Sequence, residues 1–336
     1  MTSDLRVFGL DELDQLPEPE PLVGGLLDRA SFSVLYGPAN SGKSFLALDI
    51  GLHVALGRDW HGYKITHPAP VLYILAEGES GFKRRVRAFA EYYKMDLPKP
   101  FAFTYDKLDL RCGGDAERVI SAVRARFGEN PIGLIIIDPL NRVFSGGDEN
   151  SSVDMGQFIS NCERLRRSLS YNVFVIHHVG KNIALGARGH SSLRAAIDTE
   201  LKLTGKKDQL FLQVTKQRDA ATNGNFAFQL RPVDLGPNYE NDPITSCVVV
   251  PSKARDLSLN ALSGKSRELF DLIGKNGSLT REQLRQQWII ANPNTKPDTS
   301  RKSFDRSLDA LEKASLISVM NEMICLLDSR TSTGHQ

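Results

Sequence analysis

The sequence predicts an α/β protein with a mostly parallel sheet, an antiparallel extension of that sheet and a small second domain. Between residues 32 and 177, short apolar runs alternate with longer stretches of helical periodicity, an order typical of parallel strands joined by right-handed crossover helices. Between residues 199 and 250, strand-like runs follow one another with turn residues and no helix between them, which indicates the antiparallel extension. From residue 265 onward, three amphipathic helical patterns precede a short ribbon, which indicates the second domain.

The elements of the first domain are predicted from these patterns. Apolar runs predict parallel strands over 32–36, 70–77, 134–138 and 172–177. Apolar residues at helical spacing predict helices over 43–56, 81–93, 116–127 and 154–169. The antiparallel strands are expected over 199–203, 210–216, 225–230 and 246–250.

The C-terminal region favours a winged-helix domain. Helical patterns over 265–273, 280–289 and 299–315 are followed by strand patterns over 316–319 and 323–327. Three helices followed by a ribbon fit a winged helix best. We therefore expect a lead-in segment over 1–30, an α/β domain over 31–252, a winged-helix domain over 253–330 and a disordered tail over 331–336.

Composition and charge are those of an ordinary soluble globular protein. The 336 residues are 41% hydrophobic and 24% charged, enough to bury a full core. The formal net charge is +2, so any binding of nucleic acid or membrane must be local. The acidic N-terminus and the lack of a long apolar run predict a cytoplasmic protein. Four widely spaced cysteines without a CxxC pair are expected to be free thiols.

A phosphate-binding loop is predicted where GPANSGKS matches G-x-x-x-x-G-K-[ST] between a predicted strand and a predicted helix. Backbone N–H groups of such a loop surround a β-phosphate, and the helix dipole favours its negative charge. Lys43 can bridge the β- and γ-phosphates of ATP, and Ser44 can ligate Mg²⁺. The alternative is a glycine-rich turn without a ligand. The predicted nucleotide-binding residues are Gly37, Pro38, Ala39, Asn40, Ser41, Gly42, Lys43, Ser44 and Phe45.

A metal-binding carboxylate is predicted at Asp138, which ends the apolar run over 134–138 in the form of a Walker B motif. We expect this strand to lie beside the strand of the phosphate-binding loop. Asp138 would then hold Mg²⁺ through Ser44 or water, because hard cations prefer oxygen ligands. The alternative is a helix N-cap, for which aspartate is also favoured.

The catalytic carboxylate is predicted on another strand, because Pro139 follows Asp138 and leaves no glutamate beside it. The carboxyl ends of parallel strands meet at one edge of the sheet, and the run over 70–77 ends in Glu77. Its carboxylate can orient the water that attacks the γ-phosphate. Glu79 is the alternative catalytic carboxylate. For both glutamates, a solvated acidic loop without a catalytic role is a further alternative.

Two histidines stand at the end of the run over 172–177, where His178 follows His177. One imidazole at this edge can sense the γ-phosphate, and His178 is the favoured candidate. The alternative is a pair of satisfied polar residues, since two histidines without a nearby cysteine or carboxylate make a poor metal site.

These motifs resemble those of RecA-fold ATPases related to the hexameric replicative helicases of plasmids and phages. The resemblance rests on GPANSGKS, VLYILAEGE, LIIIDPL, VFVIHHVGK and ARGHSSLRAAIDTELKL and covers roughly residues 20–250. The chain is similar to the small RepA-like plasmid helicases and, more distantly, to DnaB-type helicases. The resemblance implies that Lys43 and Ser44 bind nucleotide and Mg²⁺, that Glu77 and Asp138 are the catalytic and Walker B carboxylates, and that His178 couples nucleotide state to a DNA-facing loop.

Such rings place ATP between subunits, and the neighbour supplies cations that stabilise charge on the γ-phosphate. Lys216 and Arg218 follow a predicted strand as K-x-R and resemble the trans-acting pair of DnaB-type helicases. Alternation along the strand directs both side chains to one face. Arg188 and Arg194 are rivals, and a merely solvated basic cluster is the alternative.

Two regions are candidates for DNA contact. Glycine-bearing stretches over 145–153 and 181–192 follow the strands that end in Asp138 and His177, and equivalent loops in RecA-type rings hold single-stranded DNA. Solvated loops are the alternative for both stretches. On the third helix of the winged-helix candidate, basic residues suit duplex contacts, although acidic neighbours leave protein contacts open. The candidates are Lys181, Arg188 and His190 in the loop and Arg301, Lys302 and Arg306 on the helix.

The sequence therefore predicts an ATP- and Mg²⁺-dependent DNA helicase or translocase that assembles as a homo-hexamer in plasmid, phage or mobile-element replication. Its expected partners are single-stranded DNA in a central channel, duplex DNA at the winged helix, and a replication initiator or primase. The leading alternative is a DNA-associated ATPase without unwinding activity, such as a recombination, transposition or loading factor. A small-molecule kinase and a silent P-loop scaffold are less favoured.

Overall fold

The structure is a computed structural model that describes residues 7–15, 20–129, 133–179, 191–206, 209–218, 225–237, 241–252, 262–293, 295–313, 316–320 and 323–326. The chain divides into two compact units, Met1–Pro251 and Ser252–Gln336. None of the described helices is both long enough and apolar enough to span a membrane. The predicted tail over 331–336 and residues 253–261 lie outside the described residues.

The first unit alternates strands and helices along most of its length. Short 3₁₀ turns at Leu10–Gln15 and Leu140–Val143 add to its regular elements. The regular elements are β1 (Pro21–Val23), β2 (Leu27–Asp28), β3 (Phe32–Gly37), α1 (Lys43–Leu56), β4 (Val71–Leu75), α2 (Glu79–Tyr93), β5 (Phe101–Thr104), α3 (Gly113–Phe127), β6 (Gly133–Asp138), α4 (Ser152–Leu169), β7 (Tyr171–His178), α5 (Ser191–Ala196), β8 (Thr199–Lys206), β9 (Gln209–Gln217), β10 (Asn225–Pro237) and β11 (Pro243–Pro251).

Nine of these strands form one sheet in the order β11-β10-β9-β8-β3-β7-β6-β4-β5. The six strands from β8 to β5 run parallel, and β9, β10 and β11 continue the sheet as antiparallel neighbours. The predicted α/β class, with a mostly parallel sheet and an antiparallel extension, is confirmed. The carboxyl ends of the parallel strands meet at one edge of this sheet, which is where ligands bind in open α/β folds.

Two details of the predicted sheet are wrong. The stretch over 199–203 was expected to be antiparallel, but β8 pairs parallel with β3, because the connection from β7 includes α5 and returns the chain to the same end of the sheet. The strand that ends in Asp138 was expected beside the strand of the phosphate-binding loop, but β7 lies between β6 and β3. The order of strands along the chain does not set their order across the sheet.

The core of the first unit lies on both faces of the sheet. Alternate residues of a strand point to opposite faces, so Leu134 and Ile136 pack on one side and Ile135 and Ile137 on the other. Strands buried on both faces are apolar throughout, which is why β4 and β6 read as continuous hydrophobic runs. Helix α1 is itself surrounded by protein along most of its length and fixes the loop that precedes it.

The described part of the second unit contains three helices and a three-stranded antiparallel sheet. Its core is centred on Trp288 and Phe304, and the side chain of Thr280 forms a capping box with Gln283 at the start of the second helix. The sheet has the order β12-β14-β13, and β12 was not predicted. The elements are α6 (Gly264–Asn276), β12 (Leu279–Thr280), α7 (Arg281–Ala291), α8 (Pro297–Lys313), β13 (Ile317–Met320) and β14 (Met323–Leu326).

Candidate nucleotide-binding site

The loop over 37–44 joins the carboxyl end of β3 to the first turn of α1. Gly42 adopts a left-handed backbone with φ of 87°, a conformation that favours glycine. A Cβ atom at Gly37 would lie 2.2 Å from the carbonyl oxygen of Leu203 on β8, so this position admits only glycine. Because α1 begins at Lys43, its unpaired N–H groups and the positive end of its dipole face the loop. The loop therefore has the geometry of an anion site.

The ammonium of Lys43 folds over its own loop. Its Nζ donates hydrogen bonds of 3.0 Å to the carbonyl oxygen of Gly37 and 2.7 Å to that of Pro38, and the side chain is almost fully buried. Burial lowers the pKa of Lys43, while the negative charges of Asp138 and Glu77 act in the opposite direction. Asp138 and Glu77 are thus close enough to the loop lysine for their charges to be felt.

Asp138 is a buried carboxylate close to two hydroxyl groups. Tyr73 Oη on β4 donates a hydrogen bond of 2.5 Å to Asp138 Oδ2, and the hydroxyl of Ser44 lies close enough to favour the charged carboxylate. Burial raises the pKa of Asp138, and the hydroxyl groups of Tyr73 and Ser44 and the charge of Arg85 partly oppose that rise. The structure therefore brings the predicted metal ligands Ser44 and Asp138 together. Tyr73 was missed in the sequence, where the only signal is a hydroxyl inside an apolar strand that requires a partner.

Glu77 lies two residues beyond the end of β4. Its Oε2 atom is 3.0 Å from Nε of Arg142, which belongs to the 3₁₀ turn that follows Asp138. Both side chains are about half exposed, so the pair lies at the mouth of the site. Glu79 instead occupies the first turn of α2 and is exposed. The sequence gives no indication of Arg142.

The two histidines lie at the end of β7 beside the phosphate-binding loop. In the parallel pairing of β3 with β7, Tyr36 is opposite His177 and Gly37 is opposite His178. His177 is buried and His178 is partly exposed. His178 is therefore adjacent to the first residue of the loop, as a γ-phosphate sensor requires, and its role stays a prediction.

The cations predicted to act in trans are engaged within their own subunit. Lys216 Nζ donates hydrogen bonds to three carbonyl oxygens around the carboxyl end of α5. The distances are 2.6 Å to Ile197, 2.7 Å to Arg194 and 3.4 Å to Ala195. Burial is the main cause that lowers the pKa of Lys216. Arg218 Nη1 is 2.9 Å from Asp198 Oδ1. A trans role for Lys216 would require these contacts to open.

The rival cation Arg194 also has a partner in its own chain, because its Nε is 3.4 Å from the buried carboxylate of Glu200. The rival Arg188 and the loop candidates Lys181 and His190 lie outside the described residues.

The remaining DNA-binding candidates are located in two places. Arg111 holds the stretch over 145–153 to the fold. Its Nη2 donates a hydrogen bond of 2.5 Å to the carbonyl oxygen of Ser145. On α8, the three basic candidates are exposed, and their acidic neighbour Asp305 pairs with Arg281 at 3.0 Å. These basic candidates are Arg301, Lys302 and Arg306.

A parallel α/β sheet with a P-loop at its carboxyl edge and a buried carboxylate beside the loop serine defines an ATP-binding P-loop ATPase of the RecA-like type. The chain belongs to the AAA domain family, whose model matches residues 3–184. The crystal structure of the RadB recombinase is similar, with 18% sequence identity and a TM-score of 0.45 over 60% of this chain and 88% of that chain. No curated protein matches the chain.

Proposed function

We propose that this protein hydrolyses ATP with Mg²⁺ and couples the hydrolysis to movement on DNA, as a ring-forming helicase or translocase in plasmid, phage or mobile-element replication. The observation that carries the ATPase part is the convergence of Lys43, Ser44, Asp138 and Glu77 at one edge of the sheet. The DNA part rests on the resemblance of the sequence motifs to those of replicative helicases. The hexamer and the contact with an initiator or primase belong to this finer proposal.

The residues present fit a magnesium ion. Asp138 places a buried carboxylate next to the hydroxyl of Ser44, and oxygen ligands of this kind suit a hard cation. When bound, Mg²⁺ neutralises charge on the phosphates. Lys43 would exchange its two neutral carbonyl acceptors for charged phosphate oxygens, which form stronger hydrogen bonds.

Glu77 is the carboxylate proposed to orient the attacking water. It follows β4, the strand next to that of Asp138, and its charge acts on Lys43. Arg142 holds one carboxylate oxygen and leaves the other available as an acceptor for the water's proton. In phosphoryl transfer this positioning is the main task of the protein. Arg142 is accordingly a positioning residue.

A second candidate function is a DNA-associated ATPase that does not unwind. It is favoured by the contacts of Lys216 and Arg218, which bind carbonyl and carboxylate groups of their own subunit. Cations held in these contacts do not reach a neighbouring subunit, and an ATPase that uses no cation in trans needs no ring.

We propose in either case that the second unit is a winged helix whose exposed Arg301, Lys302 and Arg306 contact DNA phosphates.

One assay separates the two functions. Full-length protein is mixed with a forked duplex and ATP, and strand displacement and phosphate release are measured together. The helicase proposal expects both activities, their loss in Lys43→Ala, and their retention in Lys99→Ala, an exposed lysine outside the site. Hydrolysis stimulated by DNA without displacement would support the second candidate. Wild-type protein that releases no phosphate with or without DNA would overturn both.

A further inference from the structure

A second cluster of titratable groups lies on α1, behind the phosphate-binding loop. Asp49 and His53 are four residues apart on this helix and therefore share a face. His61 follows in the next loop, and one ligand atom from each of the three lies within 4.8 Å of the others. Asp49 and His53 are buried, and so is most of the His61 side chain. The nucleotide site described above uses none of these groups.

The loop after α1 is built to direct His61 at Asp49. Trp60 and Tyr63 exchange backbone hydrogen bonds of 2.8 and 2.9 Å, which closes a tight turn. Within that turn His61 has φ of 49°, in the left-handed region that a histidine seldom adopts. Its Nε2 lies 2.8 Å from Asp49 Oδ2 as a result.

Among the residues that the structure describes, only one oxygen of the Asp49 carboxylate has hydrogen-bond partners. Trp60 Nε1 donates a hydrogen bond of 2.8 Å to Asp49 Oδ2, the same oxygen atom that His61 Nε2 contacts. Asp49 Oδ1 is buried and has no hydrogen-bond partner among the described residues, and His53 Nδ1 is 3.7 Å away from it. A buried carboxylate oxygen without a partner is costly and points to a missing ligand.

His53 is fixed in the way metal-binding histidines usually are. Its Nδ1 lies 2.8 Å from the carbonyl oxygen of Asp49, a bond that sets the ring orientation and leaves Nε2 as the second nitrogen. The rings of Phe89 and Tyr93 pack edge-on against it at centroid distances of 5.3 and 5.5 Å. Trp60 orients the Asp49 carboxylate in the same supporting manner.

We propose that Asp49, His53 and His61 form a binding site for a divalent transition-metal cation, with Zn²⁺ the best match. Two imidazoles and one carboxylate are ligands that zinc accepts, whereas Mg²⁺ prefers oxygen ligands alone. Three protein ligands leave a fourth position for water. The bound ion would tie the loop around His61 to α1, the helix that carries Lys43 at its start.

The test is zinc binding by the full-length protein after treatment with a chelator. Titration calorimetry with Zn²⁺ and the visible absorption of added Co²⁺ report binding without any activity assay. Asp138→Asn removes the proposed magnesium ligand. If this variant and wild type each bind one equivalent of metal, with the Co²⁺ absorption typical of imidazole ligands, the bound ion lies outside the nucleotide site. The matched control is His67→Ala, an exposed histidine of the same loop region.

The proposal expects His67→Ala to bind one equivalent of Zn²⁺ and gain thermal stability from it, like wild type. His61→Ala should lose both effects, and so should Asp49→Asn. His61 lies in a loop, so its removal leaves the helix intact if the Asp49 variant fails to fold. Wild type that binds no Zn²⁺, or His61→Ala that binds as wild type does, would show that the cluster is only a hydrogen-bonded network and overturn the proposal.

Discussion

The phenol of Tyr73 donates a hydrogen bond of 2.5 Å to the buried carboxylate of Asp138, from the strand that neighbours β6. This bond favours the ionised form of Asp138 against the burial that raises its pKa. The hydroxyl of Ser44 also favours the charged form of this carboxylate, the candidate metal ligand. Tyr73 therefore positions Asp138 without belonging to the sequence motif.

Tyr73→Phe should raise the pKa of Asp138 further, because the substitution removes a donor that stabilises the charged form. The acid limb of the pH–rate profile for ATP hydrolysis should therefore move to higher pH, with the maximal rate less affected. The loss of this donor to a buried carboxylate should also cost about 1–3 kcal/mol of stability, measured by urea unfolding. Tyr105→Phe, at an exposed tyrosine, is the control. An unchanged pH profile would contradict a positioning role for Tyr73.

Asp138→Asn should abolish hydrolysis and yet stabilise the protein in the absence of nucleotide and metal. The folded-state pKa of Asp138 is raised, so the native state binds more protons than the unfolded state at intermediate pH. The stability contributed by protonated Asp138 is full below the unfolded pKa and is lost as pH rises through the folded pKa. At neutral pH the asparagine variant avoids this loss, so its Tm should exceed that of wild type by a few degrees.

Thermal unfolding in the presence of a chelator, recorded across a range of pH, checks the prediction. The difference in Tm between Asp138→Asn and wild type should become smaller as the solution is acidified. A variant less stable than wild type at neutral pH would show that stabilisation of the charged carboxylate by Tyr73 and Ser44 outweighs burial.

Glu77→Gln should lower kcat for ATP hydrolysis by about 100-fold or more while leaving ATP binding intact, because the amide no longer accepts the proton of the attacking water. Arg142→Ala should have a smaller effect, since it removes only the 3.0 Å contact that holds Glu77. Glu79→Gln, in the exposed first turn of α2, is the matched control. A large decrease of kcat in Glu79→Gln, with little decrease in Glu77→Gln, would reverse the assignment of the two carboxylates.

The sequence predicts the parts of the site that a local pattern encodes. Helix α1 was predicted over 43–56 and has those bounds, because the loop glycine and the glycine after Leu56 delimit a strongly apolar stretch. Asp138 was found because it ends a fully buried strand. The prediction that its strand lies beside the strand of the phosphate-binding loop is wrong. β7 lies between the two strands, and the order of strands is a property of the whole sheet.

The residues that were missed depend on contacts between segments far apart in the chain. Tyr73 meets Asp138 across 65 positions, and Arg142 meets Glu77 across the same separation. Periodicity and spacing describe only neighbours along the chain, so neither pair leaves a signal there. The parallel direction of β8 was missed for a related reason, because the short helix α5 is too brief to show helical periodicity.

Lys216→Ala distinguishes a capping role from an action in trans. The Lys216 ammonium donates to three carbonyl oxygens at the carboxyl end of α5, a position where positive charge is favourable. Its removal should cost about 1 kcal/mol of unfolding free energy in urea. Arg218→Ala removes a half-exposed ion pair and should change stability by less than about 0.5 kcal/mol.

Mixing subunits then tests the trans role of Lys216. A Lys216→Ala subunit keeps its own Lys43 and Glu77, and a Glu77→Gln subunit keeps Lys216. If the lysine acts across an interface, each variant alone hydrolyses ATP slowly and the mixture regains part of the wild-type rate, because Glu77→Gln neighbours supply the missing cation. If the lysine only caps α5, mixing restores nothing, and Lys216→Ala alone hydrolyses ATP at nearly the wild-type rate at temperatures where it stays folded.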